Sequence, residues 1–80
     1  MTPTEDFIIY LYNREFPSRF IHLDEALFQG TFDEIDLLEF VMVVEDHYGI
    51  EITDEEIDSI NTLACIANIV DKKIYQGEEE

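Results

Sequence analysis

Carboxylates are the side chains in this sequence that could most readily do chemistry. The 80-residue chain has 20 acidic residues against 4 basic ones, which gives a net charge of −16. Two carboxylates on either side of a substrate can hydrolyse a glycosidic bond as an acid and base pair. A domain of this size leaves little room for a substrate cleft, so we expect no catalytic residues and no enzymatic activity.

Calcium binding is the other chemistry that many carboxylates suggest. An EF-hand loop needs oxygen ligands at its first, third and fifth positions and a glycine at its sixth. The most suitable stretch, DEALFQ at residues 24–29, has Ala26 and Phe28 at ligand positions. We therefore expect no specific metal site and only weak binding of divalent cations to the acidic clusters.

Histidine and cysteine provide no catalytic set. No serine or cysteine can be placed next to His22 or His47, and His47 suits a surface position near a helix C-terminus, where positive charge is favourable. Cys65 is the single cysteine, so the chain has neither an intramolecular disulfide nor a cysteine-based metal site. We expect Cys65 to be a small, buried or half-buried residue of the last helix.

The net charge limits the classes of partner. An acidic surface repels phosphate backbones and anionic lipid headgroups, so we expect neither nucleic acid nor membrane binding. The natural counterpart is a basic patch on another protein. The first six residues lack a basic signal-peptide region, and no apolar run approaches the roughly 20 residues that span a bilayer. These features predict a cytoplasmic protein, and we expect a monomer.

The acids must be positioned by helices, and the clearest helix is predicted from about Asp33 to Tyr48. Asp33 is suited to the N-cap, with Asp36 three residues later in a shortened capping box. Gly49 follows as a natural helix stop. The helix should bury a stripe at helical spacing that consists of Leu37, Phe40, Val41, Val44 and Tyr48.

The remaining chain also reads as helices. A first helix should begin with Thr4 as its cap and end at Glu15 or Phe16, before Pro17. The long connection over residues 17–33 is rich in Phe, Leu and Ile, so it must pack against the helices, and residues 23–28 suit a short helical turn.

Two further helices follow the central one. Thr53 and Glu56 form a capping box for a short helix that ends near Ile60. The last helix should start after Asn61-Thr62 and end at about Lys73 or Tyr75, with Lys72 and Lys73 in its final turn. The sequence thus predicts an all-α bundle of three longer helices and one short one, in a single domain over residues 1–77 with a frayed acidic tail at 78–80.

The order of these motifs resembles acyl carrier proteins and peptidyl carrier domains. That family has a helix, a long loop, an Asp-Ser-Leu motif that opens helix II, and Gly-Ile-x-Ile before a short helix III and a final helix IV. This chain has LFQG at 27–30, VM at 41–42 and GIEITDEE at 49–56. The resemblance covers nearly the whole chain, is strongest from residue 30 to 70, and implies the carrier-protein four-helix bundle.

The chain departs from the family at the centre of this motif. Asp33-Glu34-Ile35 stands where the family has Asp-Ser-Leu, so Glu34 occupies the position of the serine that carries 4′-phosphopantetheine. A carboxylate offers no hydroxyl for the phosphodiester, and we expect no cofactor on this sequence. Glu34 is either natural, in a carrier-like protein that has lost loading, or a replacement of a natural serine. In both cases it can also serve as a first-turn acid that the helix dipole favours. The uncommon Phe32 and Ile35 favour the first explanation.

Other hydroxyls are poor substitutes for the missing serine. Ser18 follows the first helix, Ser59 lies in the predicted third helix, and Thr31 lies three residues upstream of position 34. None has the spacing to the start of helix II that presents the attachment hydroxyl in the family.

A partner surface is expected on helices II and III. Ile35, Leu38 and Met42, here called the apolar row, follow one another at helical spacing beside the buried stripe. An exposed apolar row with an acidic rim is typical of a docking site. The resemblance implies that acids of helix II contact basic enzyme patches and that helix III extends the surface; these acids are Asp36, Glu39, Glu45, Asp46, Glu55 and Glu56.

Three functions are consistent with these patterns. The first is a carrier-like protein that cannot be loaded and docks an enzyme of fatty-acid, polyketide or related acyl metabolism through helix II. The second is a genuine acyl carrier whose serine has been substituted. The third is an acidic module that binds cations or increases solubility. Phosphopantetheinylation assays distinguish the first two, and charge-reversal variants distinguish specific docking from diffuse charge.

Overall fold

The computed structural model describes residues 2–17 and 21–77, which contain four α-helices and no strand. These are α1 (Pro3–Glu15), α2 (Glu34–Tyr48), α3 (Asp54–Asp58) and α4 (Leu63–Gly77). Helix α1 packs against both α4 and α2. The predicted all-α architecture with one short helix is therefore confirmed. The acidic tail predicted at residues 78–80 lies outside the described residues, and the single-domain boundary stays a prediction.

The start of α1 differs from the sequence prediction, because Thr2 and not Thr4 is the N-cap. The Thr2 hydroxyl accepts from the Glu5 N–H at 3.1 Å, and the Glu5 carboxylate accepts from the Thr2 N–H at 2.9 Å. Pro3 is well placed at the first helical position, since proline lacks the N–H that would be unpaired there. Thr4 instead donates its hydroxyl to Asp71 of α4 at 2.6 Å. The helix ends at Glu15, as predicted.

Helix α2 begins and ends as the sequence predicts. Asp33 is the N-cap, and its Oδ1 accepts from the N–H groups of Ile35 and Asp36 at 3.0 and 3.1 Å. The Asp36 carboxylate accepts in return from the Asp33 N–H at 3.1 Å. Gly49 ends the helix in the left-handed conformation, with φ of 65°. The predicted stripe faces the core, although Tyr48 is half-buried rather than buried.

Helices α3 and α4 differ from the prediction in length. The Thr53–Glu56 capping box is present, but α3 ends at Asp58 instead of near Ile60. Helix α4 extends to Gly77, so Lys72 and Lys73 lie before its last turn and the predicted pairing of these lysines with the helix dipole is wrong. At the start of α4, the Thr62 hydroxyl accepts from the N–H of half-buried Cys65 at 3.2 Å, which confirms the predicted cap.

The long connection packs onto the bundle, as its apolar content predicts. Leu27 and Phe32 are buried, whereas Phe28 is 47% exposed. The Leu27 N–H donates to the Asn61 carbonyl at 2.8 Å, and the Ala64 N–H at the start of α4 donates to the carbonyl of half-buried Leu23 at 3.0 Å. The expected helical turn over residues 23–28 is reduced to a turn that two hydrogen bonds between residues 22 and 25 close.

The core joins all these elements through aliphatic and aromatic side chains. The Tyr12 ring of α1 lies 5.6 Å from the Phe40 ring of α2 and 5.0 Å from that of Phe16. Phe32 of the connection is 5.5 Å from Phe16. Edge contacts of this kind add to the stability that apolar burial provides. They fix the end of the connection immediately before Asp33, and thereby the position of the α2 N-terminus.

Candidate functional site

The N-terminus of α2 is the candidate attachment site, and Glu34 is its first helical residue. The Asp33 cap holds the backbone here, and the Glu34 side chain is exposed. Within residues 2–17 and 21–77, the Glu34 carboxylate has no hydrogen-bond or ion-pair partner. A side chain at this position is presented to an approaching molecule, as the resemblance requires.

The residues at this site do not fit 4′-phosphopantetheine. The exposed polar side chains at the start of α2 are the carboxylates of Asp33 and Glu34, and a phosphodiester needs a hydroxyl. The Ser59 hydroxyl donates to the Glu56 carbonyl at 2.7 Å at the end of α3. Thr31 lies in the turn before the Asp33 cap, and Ser18 lies outside the described residues. We therefore place no cofactor on this chain.

The predicted apolar row is exposed on the outer face of α2. Ile35, Leu38 and Met42 are 65%, 43% and 65% exposed, respectively, while the neighbouring stripe is buried. The three residues are spaced by three and four positions, so they lie side by side on one helix face. Contiguous exposed apolar side chains on a surface helix are a common feature of interaction sites.

In the structure, the six acids predicted to contact a partner fall into two groups. Glu39, Asp46 and Glu55 are exposed, and in the described part of the chain their carboxylates contact no hydrogen-bond donor. The other three predicted acids stabilise the fold. Asp36 belongs to the α2 capping box, and Glu45 accepts from the Ile52 N–H at 2.7 Å. Glu56 belongs to the α3 capping box and forms an ion pair with Lys73 of α4.

Glu56 connects α3 to α4. Its Oε1 accepts from the Thr53 N–H at 2.9 Å and lies 3.0 Å from Nζ of Lys73. The Thr53 backbone hydrogen bond, followed by the bond from Lys73, lowers the pKa of Glu56 below its usual 4.5. A carboxyl group whose pKa is lower in the folded state stabilises the fold above its unfolded pKa, and this contribution is lost as the pH falls through the folded value.

We expect Glu56→Gln to reduce the free energy of unfolding at about pH 7 and to have a smaller effect at about pH 3, because the contribution of the charge is lost as the pH falls through the folded pKa of Glu56. The amide keeps an oxygen for the Thr53 N–H, so the loss reports the charge. Urea unfolding followed by circular dichroism at both pH values measures it. Glu55→Gln is the matched control, because Glu55 is exposed and has no such contacts. An equal loss at both pH values would contradict the assignment.

A cavity of about 430 Å³ lies between the N-terminus of α2 and the region of α3. Its walls come from the end of the connection, the first turn of α2 and the segment from α3 to the start of α4. The lining residues are Phe28, Phe32, Asp33, Glu34, Leu37, Ile57, Asp58, Ile60 and Asn61. These residues border an open depression at this end of the bundle.

Sequence reasoning missed five of these lining residues. None of Phe28, Ile57, Asp58, Ile60 and Asn61 was predicted to lie near Glu34, because their proximity to Glu34 depends on the placement of α3. The only feature of the sequence that could have indicated this cavity is the short length of α3, because a short helix provides few side chains to fill the space beside α2.

Other predicted features lie away from this site. His47 is exposed in the last turn of α2, with its ring 5.4 Å from Phe7 in an edge-on contact, which agrees with its predicted surface position. Over residues 2–17 and 21–77, no cluster of three His, Cys, Asp or Glu side chains could hold a metal ion. In the same part of the chain, no helix is long and apolar enough to cross a bilayer.

Comparison with known proteins identifies the family. A family model described as the phosphopantetheine attachment site matches residues 15–70. The acyl carrier protein of Buchnera aphidicola subsp. Baizongia pistaciae is 35% identical over 43 residues, which cover 54% of this chain and 55% of that protein. That of Lactobacillus acidophilus is 40% identical over 45 residues, with 56% and 54% covered.

The chain spans about half the length of the curated relatives it matches. No solved structure has a significant match to it. The family model nevertheless covers well over half of the chain, including all of α2 and α3. Acyl carrier proteins are carriers that interact with enzymes and are not enzymes themselves, in agreement with the expectation of no enzymatic activity. The chain belongs to the phosphopantetheine-attachment-site family of carrier proteins.

Proposed function

We propose that this chain is a carrier-like protein that cannot be loaded and that docks an enzyme of acyl metabolism through α2. The observation that carries the proposal is the apolar row, which is exposed although it consists of large aliphatic and thioether side chains. Its partner is a protein with a basic patch around an apolar centre, such as an acyl-transfer or synthase enzyme.

The two kinds of side chain on α2 contribute differently to docking. Burial of the apolar row removes it from water and supplies most of the affinity. Glu39 lies four residues after Ile35, and Asp46 lies four residues after Met42, so both acids adjoin the row. Charges at such a rim mainly accelerate association with an oppositely charged surface. The net charge of −16 adds an attraction to a basic partner that acts over about one Debye length, roughly 8–10 Å at physiological salt.

The three acids that already accept hydrogen bonds within the fold contribute less to docking than the resemblance implies. Asp36, Glu45 and Glu56 each hold a backbone N–H group, so a partner that moved these carboxylates would expose unpaired donors. We assign specific contacts to Glu39, Asp46 and Glu55, and to the apolar row. The other three acids contribute only to the negative electrostatic potential around the protein.

We expect Leu38→Ala combined with Met42→Ala to weaken binding about 30-fold or more, since loss of the methyl and methylene groups buried at each position costs at least about 1 kcal/mol. Glu39→Lys should lower the association rate, with a larger effect at low salt. Biolayer interferometry measures both, with the acyl-transfer or synthase enzyme encoded nearest to this gene as the partner.

Matched controls distinguish specific docking from diffuse attraction. Tyr75→Ala removes a 72% exposed aromatic side chain from α4, and Glu51→Lys reverses an exposed charge between α2 and α3. Both should leave the affinity nearly unchanged. If Glu51→Lys weakened binding as much as Glu39→Lys does, the attraction would be a property of the net charge, and the proposed surface would be wrong.

A further inference from the structure

The outer face of α1 carries a pattern of side chains that is symmetric about Tyr10. Four of the five exposed residues of this helix, and one exposed residue two positions after its end, have spacings of three, four, four and three; they are Pro3, Asp6, Tyr10, Arg14 and Pro17. We propose that this face, here called the α1 seam, joins two copies of the chain in an antiparallel dimer with two-fold symmetry. The apolar row of α2 is not part of the seam, so one dimer offers two docking surfaces.

A two-fold axis at Tyr10 pairs each position before it with the equivalent position after it in the other copy. In an interface of this symmetry, residue i of one copy contacts residue j of the other, and j contacts i. Asp6 of one copy then faces Arg14 of the other, twice, because both residues lie four positions from Tyr10. Pro3 and Pro17 face each other in the same way. The antiparallel arrangement also brings the positive end of each helix dipole beside the negative end of the other.

The two charged residues of the seam have no ionic partner within one copy. Asp6 and Arg14 are separated by eight residues, which is about 12 Å along a helix and too far for an ion pair. In the described part of the chain, neither side chain forms an ion pair with any other residue. The α1 seam therefore has no net charge, although the chain as a whole has a net charge of −16. A second copy supplies the matching charges in the matching order.

Tyr10 supplies the apolar contact at the centre of the seam. Its side chain is 56% exposed, and its ring stacks on that of half-buried Phe7 with the centroids 5.7 Å apart. Phe7 in turn contacts the rings of His47 and Tyr48 of α2, at 5.4 and 5.6 Å. The Tyr10 ring is thus held in position before a second copy arrives, which reduces the entropy lost on association. Tyrosine suits such a place because its ring is apolar and its hydroxyl can stay in water.

The net charge determines the conditions under which the dimer forms. Two copies at −16 repel each other, and added salt screens this repulsion. Because each copy contributes one helix of 13 residues, the interface should be smaller than the roughly 1,200 Å² of stable complexes. We therefore expect a monomer at low salt, in agreement with the sequence-based expectation, and a weak dimer at high salt. Docking of a basic partner should show the opposite salt dependence.

Sedimentation equilibrium of the full chain tests the dimer directly. At about 0.5 M sodium chloride we expect a dissociation constant on the order of 0.1–1 mM, and at about 0.05 M the dimer should be at least ten-fold weaker. Tyr10→Ala should weaken the dimer about ten-fold or more, because the symmetry removes two central tyrosine side chains at once. Tyr75→Ala, which truncates a 72% exposed tyrosine of α4, is the matched control and should leave the affinity unchanged.

Charge reversals test the antiparallel pairing. Arg14→Asp and Asp6→Arg should each weaken the dimer about five-fold at a fixed salt concentration, since both ion pairs are lost and like charges face each other. The variant that combines both changes keeps the composition and net charge of the wild type and reverses each pair, so it should dimerise as the wild type does. Lys72→Asp, at an exposed position of α4, alters the net charge as much as Arg14→Asp and should weaken the dimer less. Circular dichroism checks that each variant is folded.

The proposal is wrong if any of three results is obtained. The first is a wild-type protein that stays monomeric at millimolar concentration and high salt. The second is a stronger dimer in Asp6→Arg, whose less negative net charge would then be the only property that matters. The third is a combined variant as weak as the single ones, which would exclude the antiparallel pairing. Leu38 and Met42 lie outside the α1 seam, so their variants should dimerise normally, and the docking proposal and this one can fail independently.

Discussion

Incubation of the wild-type protein with a phosphopantetheinyl transferase and coenzyme A should leave its intact mass unchanged. The transfer joins phosphopantetheine to a hydroxyl oxygen, and position 34 offers a carboxylate. The hydroxyl of Ser59, which follows α3, donates to the Glu56 carbonyl, and Thr31 lies before the cap of α2. We therefore expect no adduct under conditions in which an acyl carrier protein is loaded to completion. Intact-protein mass spectrometry measures the outcome.

Glu34→Ser is the variant that should change this result completely. Serine at the first helical position would expose its hydroxyl where Glu34 now exposes its carboxylate, and the Asp33 cap would remain. Loss of a first-turn acid costs only about 0.3–1 kcal/mol, so the fold should be kept. We expect one phosphopantetheine group per chain. Glu39→Ser, on the same helix, should gain none.

The two arms of this experiment test different statements. An adduct on the wild-type protein would show that it is a loadable carrier, and the proposed function would then be wrong. Failure of Glu34→Ser to accept the group would mean that the surface around position 34 no longer fits the transferase. In that case the loss of loading would involve more than one residue.

The second large effect concerns stability, and we expect Phe40→Ala to leave much of the protein unfolded. Phe40 is fully buried and contacts the rings of Tyr12 and Phe16. Removal of a buried phenylalanine side chain typically costs 3–5 kcal/mol, because a cavity remains. Domains of about this length are stable by only ~4–12 kcal/mol in total. Urea unfolding followed by circular dichroism measures the loss.

Met42→Ala is the matched control for Phe40→Ala. It shortens a large apolar side chain two positions further along α2, but Met42 is 65% exposed. Its free energy of unfolding should stay within about 0.5 kcal/mol of wild type. This comparison also shows that the docking variant remains folded. If both variants lost a comparable free energy of unfolding, Met42 would have to be buried like Phe40, and the orientation of α2 would be wrong.

The sequence alone predicts the parts of the fold that depend on residues close together in the chain. The Asp33–Asp36 capping box and Gly49 mark the ends of α2 because caps act within about one turn. Helical spacing separated the buried Phe40 from the exposed Met42. The start of α1 was misplaced because both Thr2 and Thr4 are suited to an N-cap, and the choice between them depends on Pro3.

The candidate site depends more on tertiary structure. From the sequence, the six predicted rim acids are equivalent, but packing brings Glu45 to the Ile52 N–H and Glu56 to Lys73, which leaves Glu39, Asp46 and Glu55 exposed.

The absence of a loadable hydroxyl at position 34 was determined by the sequence, because it depends on one residue type. The cavity next to Glu34 was decided only by the tertiary structure. Phe32, Leu37 and Ile60 come from separate segments. Asp58 lines the cavity because contacts with residues far away in the sequence, such as the ion pair of Glu56 with Lys73, hold α3 in place. Periodicity and capping rules describe neighbours along the chain, whereas a cavity consists of the space that distant segments leave between them.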